Sequence, residues 1–419
     1  MFCRSLCLAV ALSFGAPVAT ANDWPQSQGP KRDNISTETG LLKSWPAGGP
    51  KRAWTFTELG VGYSGPAVVG DKLYIMGGVD GREWLFALDV ASGKRLWRCE
   101  IGALYPNGYG DGPRGTPTVD GDRVYCIGGQ GNLLCADASS GERVWMVRLK
   151  EDLGGEVMSR WGFAESPLVD GDRLICTPGG ARGTMAALNK KTGDIVWRSE
   201  GVRDKVAYAS IVPTDFGGTR QYIQLTGSGV ISIAAKDGKL LWRQAVVVNG
   251  TAMVPTPIVK DEYVYVTTDY GAGCALIKLS GSDNRSEVVY ANKKMQNHHG
   301  GVVLIDGHIY GWSGNSNGRG MWVCQNFLTG EGVWDSTRFA QAGSLTCADG
   351  RLYCYGQRDG TVVLVEPSKE GWKEHGRFKI PRQTDIPRKQ GAIWTHPVVA
   401  NGKLYLRDQD LLFCYVVKE

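Results

Sequence analysis

Three of the five histidines, His298, His299 and His396, are the residues best suited to chemistry, since an imidazole can ligate a metal, bind a carboxylate or move a proton near neutral pH. His298 and His299 are adjacent in the stretch Gln296-Asn297-His298-His299-Gly300-Gly301. On an extended segment neighbours point to opposite sides, so this spacing predicts one ring facing a site and the other packed inside. The competing reading is a purely structural hydrogen bond. Glu165 precedes Ser166-Pro167 at an inner-strand start, close to Arg114 of the preceding blade, and is read either as a catalytic acid near the axis or as half of a satisfied ion pair. Trp161 and Trp394 offer flat surfaces for a quinone or sugar ring, or serve as core.

Other chemistry is poorly represented. The chain contains no GxSxG, HExxH, GxxxxGK[ST] or EF-hand pattern and no CxxC. Its net charge of +5 is scattered rather than clustered, which argues against a nucleic-acid footprint. Eleven cysteines lack the close, regular spacing of a disulfide scaffold and read as small buried strand residues. Cys347 and Cys354 flank the turn Asp349-Gly350, which pairs Cys347 with Leu352 and sends Cys354 to the opposite face, so no bridge is expected. Met1 to Ala21 has the form of an export signal, with Arg4 before an apolar run and Ala19-Thr20-Ala21 as the cleavage site. The mature chain is then expected to begin at Asn22 in the periplasm or outside the cell. No other run approaches the roughly 18 apolar residues of a membrane span.

The elements that must position these residues come from a repeat. Between Gly65 and Trp97 the chain reads GPAVVGDKLYIMGG, a variable tip, and LFALDVASGKRLW, which is four short strands with turns at Gly70-Asp71 and Ser92-Gly93-Lys94. A closing aromatic recurs at Trp54, Trp97, Trp145, Trp197, Trp242, Tyr290, Trp334 and Phe378. The innermost strands begin near Pro66, Pro117, Pro167, Ile211, Pro257, Val302, Leu345 and Pro397. The last repeat has no closing aromatic, and Trp54 stands alone in KRAWTF before the first full repeat. The pattern predicts an all-β fold: an eight-bladed β-propeller of four-stranded blades over residues 51–419, its last blade closed by the N-terminal strand. Residues 22–50 are read as an extended strap with at most one helical turn near Thr39 to Leu42.

The stretch Ala87-Leu88-Asp89-Val90-Ala91-Ser92-Gly93-Lys94-Arg95-Leu96-Trp97 resembles the tryptophan-docking motif of PQQ-repeat propellers, and Ala187 to Trp197 repeats it with Asn189 for Asp. DWPQ near the start, QNHHGG and LRDQD resemble a group of exported bacterial PQQ-like repeat proteins. The resemblance implies the fold. Quinoprotein dehydrogenases of this type hold a quinone over the ring axis, commonly with Ca²⁺ on carboxylate and amide oxygens, and many have adjacent cysteines. This chain has no Cys-Cys pair and no identifiable ligand set for PQQ with calcium. The related β-barrel assembly lipoprotein uses a similar propeller as a protein-binding scaffold, but no lipoprotein processing box surrounds Cys7.

Propellers gather their blade-to-blade connections and their second-to-third strand turns on one face. That placement adds Tyr208, Asn249, Gln296, Asn297 and Arg388 to the candidates, and the tips add Asn315, Asn317, Arg319, Arg358, Asp408 and Asp410. Asp408-Gln409-Asp410 is read as a cation site or as a polar turn without function. The expected function is binding of a small molecule or protein on this face; the alternative is a PQQ-dependent oxidoreductase. No motif assigns an enzyme, a metal or a nucleic-acid partner.

Overall fold

The computed structural model describes residues 22–281, 283, 285–314 and 319–419. The export segment 1–21 and the tip candidates Asn315 and Asn317 lie outside them. Eight four-stranded antiparallel blades form a ring, and no helix occurs among the described residues, so none is long and apolar enough to cross a membrane. In chain order the blades span 67–103, 118–148, 168–198, 212–244, 258–292, 302–336 and 343–379, and the eighth is 398–416 with Arg52–Phe56 as its outermost strand.

Middle strands are buried on both faces because each blade is covered by its neighbours: Lys72–Val79 hides six consecutive residues. Outer strands alternate, with charged residues such as Arg95 and Arg98 facing water. The apolar side chains gather into eight clusters, one at each blade interface. Stability is therefore spread around the ring rather than held in one centre.

Closing aromatics lock one blade to the next. Trp54 Nε1 donates to Val90 O (3.0 Å), Trp145 Nε1 to Lys190 O (3.1 Å) and Trp197 Nε1 to Ala235 O (3.1 Å), each across a blade boundary. The turn glycine beside each indole is obligatory: a Cβ on Gly93 would stand 2.6 Å from the Trp54 ring, and its φ of +71° disfavours any side chain. Trp242 departs from the pattern and donates instead to Gln221 Oε1 in its own blade (3.2 Å). Phe378 has no polar atom and packs on Gly49, so the strap supplies the eighth blade's missing docking turn. Cys347 pairs with Leu352 and Cys354 with Leu345, in the expected register, and all nine cysteines among the described residues are free and buried.

The strap is not a surface band. Its backbone pairs with Val68 of the first blade through Trp24, and Val119 of the second blade donates to Pro25 O (2.8 Å). Ile35–Ser36 then adds a fifth, parallel strand on the inner side of the seventh blade. Ser36 Oγ donates to Val399 O in the eighth blade (2.8 Å). Having entered the central channel, the strap leaves it through Leu41, which pairs with Lys418 in a single bridge without helix.

Candidate functional site

Between strap and loop face lies a cavity of about 490 Å³. Its floor is strap, contributed by Trp24, Gln28 and Asn34. The strap is fixed there by Arg32, which is fully buried. Arg32 Nη1 donates to Ile211 O (2.9 Å) and Ser166 O (3.2 Å), Nη2 to Pro167 O, and Nε to Gln26 Oε1 (2.8 Å). Burial lowers its pKa to about 10.

The waist of the cavity is a relay between the starts of the inner strands. Thr116 N–H donates to Ser166 Oγ (2.8 Å), Ser166 N–H to Ser210 Oγ (3.0 Å), and Ser210 N–H to Thr256 Oγ1 (3.2 Å). His396 precedes Pro397 as Thr116 and Ser166 precede their prolines, and its Nε2 lies 2.7 Å from His299 O. Burial lowers the His396 pKa.

The upper wall gathers seven of the ten residues proposed as ligand-binding: Arg114, Trp161, Tyr208, His298, His299, Trp394 and His396 all line the cavity. They come from connections between different blades. His298 and His299 do not diverge as an extended segment would require. Bends at residues 298–300, ahead of Gly301 at φ +68°, turn both rings to the same cavity, with centroids 3.6 Å apart. His298 Nε2 lies 2.9 Å from Tyr270 Oη, and His299 stacks on Trp394 at 4.4 Å and 26°. Burial holds His298 at about 4 and His299 well below the ordinary 6.5. These rings are therefore neutral hydrogen-bonding groups rather than cations at pH 7.

Arg114 Nη1 donates to Gly112 O (2.6 Å) and Nη2 to Gly110 O (2.8 Å), and the guanidinium lies over the rings of Tyr105 (5.2 Å) and Tyr63 (5.9 Å). Burial lowers its pKa. Trp161 Nε1 donates to Thr251 O (3.2 Å), and its ring meets the edge of Tyr109 at 4.6 Å.

Three candidates are elsewhere. Glu165 makes no ion pair with Arg114: its carboxylate accepts from Thr177 N (2.7 Å) and Thr177 Oγ1 (2.9 Å), fully buried behind the cavity wall. Burial pushes its pKa up to about 7 against those bonds. Asn297 is buried and structural, donating to Gly301 O (3.0 Å) and Trp312 O (2.9 Å). Gln296 takes part through its backbone, with its N–H on Ser313 Oγ (3.0 Å) and its carbonyl accepting from Gly314 N–H (3.0 Å).

The remaining connection and tip residues also brace the frame. Asn249 closes its own loop through Ala252. Asp408 is buried on Arg388 at 2.5 Å, its Oδ2 also accepts from Thr384 N–H (3.1 Å), and Asp410 accepts from the Thr384 hydroxyl, so the carboxylates of LRDQD are engaged in bracing this turn. Arg358 donates from its backbone to Gln341, and neither it nor Arg319 lines the cavity. Sequence reasoning missed Tyr63, Tyr109 and Tyr270, and it missed the hydroxyls before proline at Thr116, Ser166 and Thr256, whose recurrence was a usable signal.

The donor set does not fit a calcium-bound quinone. No Asp or Glu is among the described residues lining the cavity, and no group of three or more His, Cys, Asp or Glu among the described residues could hold a metal. No carboxylate stands ready there as a base.

A family model described as outer membrane protein assembly factor BamB matches residues 81–323. The assembly factor BamB of Kangiella koreensis is 28% identical over 217 residues, which cover 49% of this chain and 48% of the relative, so the chain spans about half the length of that curated relative. Among solved structures, BamB from Moraxella catarrhalis superposes with a TM-score of 0.59 at 16% identity, covering 86% of this chain and all but a fraction of the other (99%). A quinohemoprotein alcohol dehydrogenase from Comamonas testosteroni gives 0.64 at 12% identity, covering 95% and 81%. At these identities the two structures share the fold with this chain.

Proposed function

This chain belongs to the family of outer membrane protein assembly factor BamB, within the PQQ-repeat β-propellers, and from that premise we propose that it is an exported binding module whose ligand enters the cavity at the channel mouth. One observation carries the reading: a concave, strap-floored space walled by aromatic and histidine side chains from separate blades, in the size range of small-ligand sites. The family favours a polypeptide partner in the periplasm, with a segment of that partner as the ligand. The dehydrogenase alternative would call on carboxylates, and none is among the described residues lining this cavity.

The test is a thermal-shift screen of the protein from Asn22 onward against small acids, sugars and short peptides. A hit should lose at least about tenfold in affinity in the double variant His298→Ala with His299→Ala, since both rings line the cavity. A control altered at Lys191, on an outer turn, should bind like wild type. Loss in the control alone would move the site off the axis.

A further inference from the structure

The cavity is electrically lopsided. Among the described residues lining it, Arg114 is the one charged side chain, and the three histidines beside it stay neutral at pH 7. No carboxylate lies within ion-pair distance of Arg114 among the described residues; its two hydrogen bonds go to backbone carbonyls of its own loop. A guanidinium has five N–H groups, so this one is oriented by the loop yet keeps donors for another acceptor. The rest of the wall is largely aromatic, with Trp161 and Trp394 held in place by Tyr109 and His299.

Resting on the reading of this cavity as the binding site, we propose that it selects an aromatic carboxylate: one negative charge meets Arg114, and the attached ring lies against Trp161 and Trp394. A partly desolvated cation whose nearest carboxyl, Glu83, lies beyond ion-pair distance gains from a ligand that brings a counter-charge into contact, and charge-assisted pairing to a guanidinium is the strong form of the hydrogen bond. Among the described residues lining the cavity a second negative charge would find no further cation and a basic ligand no anion, which adds discrimination against the wrong charge to attraction for the right one. The same chemistry is offered by a free aromatic acid and by a polypeptide ending in an aromatic residue.

Calorimetry with four probes separates these: 2-naphthoate, 2-naphthamide, and one peptide ending in phenylalanine with either a free or an amidated terminus. Acids should bind at least about tenfold more tightly than their amides, the loss expected for one charge-assisted hydrogen bond. Arg114→Gln should erase that preference, Arg114→Lys should keep part of it, and calcium or EDTA should not alter it. Tighter binding of the free-terminus peptide identifies a polypeptide end, and tighter binding of naphthoate a free acid. Amides that bind as well as acids to the wild type overturn the charge inference while leaving the cavity reading intact. If none of the probes binds, the ligand class is wrong, and the screen described above decides separately whether the cavity is a site at all.

Discussion

The floor and the mouth of the channel each hold an arginine, and the two are used in opposite ways. Arg32 is buried, with all three guanidinium nitrogens donating to acceptors on the strap itself and on two blades. Arg114 hydrogen-bonds two carbonyls of its own loop, lies over the rings of Tyr105 and Tyr63, and borders open space. A saturated buried cation is a fastener whose removal orphans several carbonyls; an undersaturated one keeps donors for a ligand, and its removal costs the fold less. Neither residue type nor sequence position distinguishes the two. The count of satisfied donors does.

The comparison breaks most decisively at the floor. Deleting residues 22–56 removes the strap, the eighth blade's outer strand and Trp54 together, and stability should fall by upwards of about 5 kcal/mol, with an open blade edge prone to association. Chemical denaturation with light scattering reads both, and an unchanged midpoint would mean the ring closes without this segment.

A sharper version compares single residues. Arg32→Met leaves the carbonyls of Ser166, Pro167 and Ile211 unpaired and should cost about 4 kcal/mol, whereas Arg114→Met gives up only the carbonyls of Gly110 and Gly112 beside open space and should cost about 1–2 kcal/mol. Similar urea midpoints for the two variants would refute the distinction drawn here.

The smallest effect is in pH. Burial depresses the mouth imidazoles, His298 to about 4 from 6.5, so between those values the unfolded chain binds protons that the fold does not. Their contribution is full above pH 6.5 and is lost as pH falls toward 4. Glu165 behaves oppositely: raised from 4.5 to about 7, it favours the fold below pH 4.5, and that contribution is lost as pH rises through 7. Urea midpoints at several pH values should show the acid-side loss flattened by His298→Asn with His299→Asn and the loss on approaching neutrality flattened by Glu165→Gln. Each change should be about 1–2 kcal/mol after discounting for solvent around the half-buried rings. Variants with the wild-type profile would show that these groups do not titrate as their surroundings dictate.

The ring was legible because its determinants are local and repeated: the docking turn at Ser92-Gly93, its copies, and aromatics such as Trp97 declare each blade, and the solitary Trp54 declares the closure. The strap's course was not legible, because it occurs once and its anchors are mostly backbone carbonyls such as Ile211 O, which carry no side-chain signature. The site was partly legible. Connections put Arg114, Trp161 and the histidines around one cavity, but the turn that brings His298 and His299 together depends on backbone bends that an assumption of extended chain cannot contain. Glu165 and Arg114 were paired by charge alone, when Thr177 already held the carboxylate.

Arg52–Phe56 can take its place only on Leu411–Val416, a partner separated from it by almost the whole ring. Seven blades can be assembled while the channel remains unsealed, since the clasp and the floor are carried by one continuous stretch of chain. Such a distant pairing belongs to the slow class of folding events. The cavity is thus a late product of folding: a chain present only as far as Gly301 already carries Arg114, Trp161, His298 and His299, yet it lacks Trp394, His396 and the strand that the clasp pairs with, and has no pocket to offer.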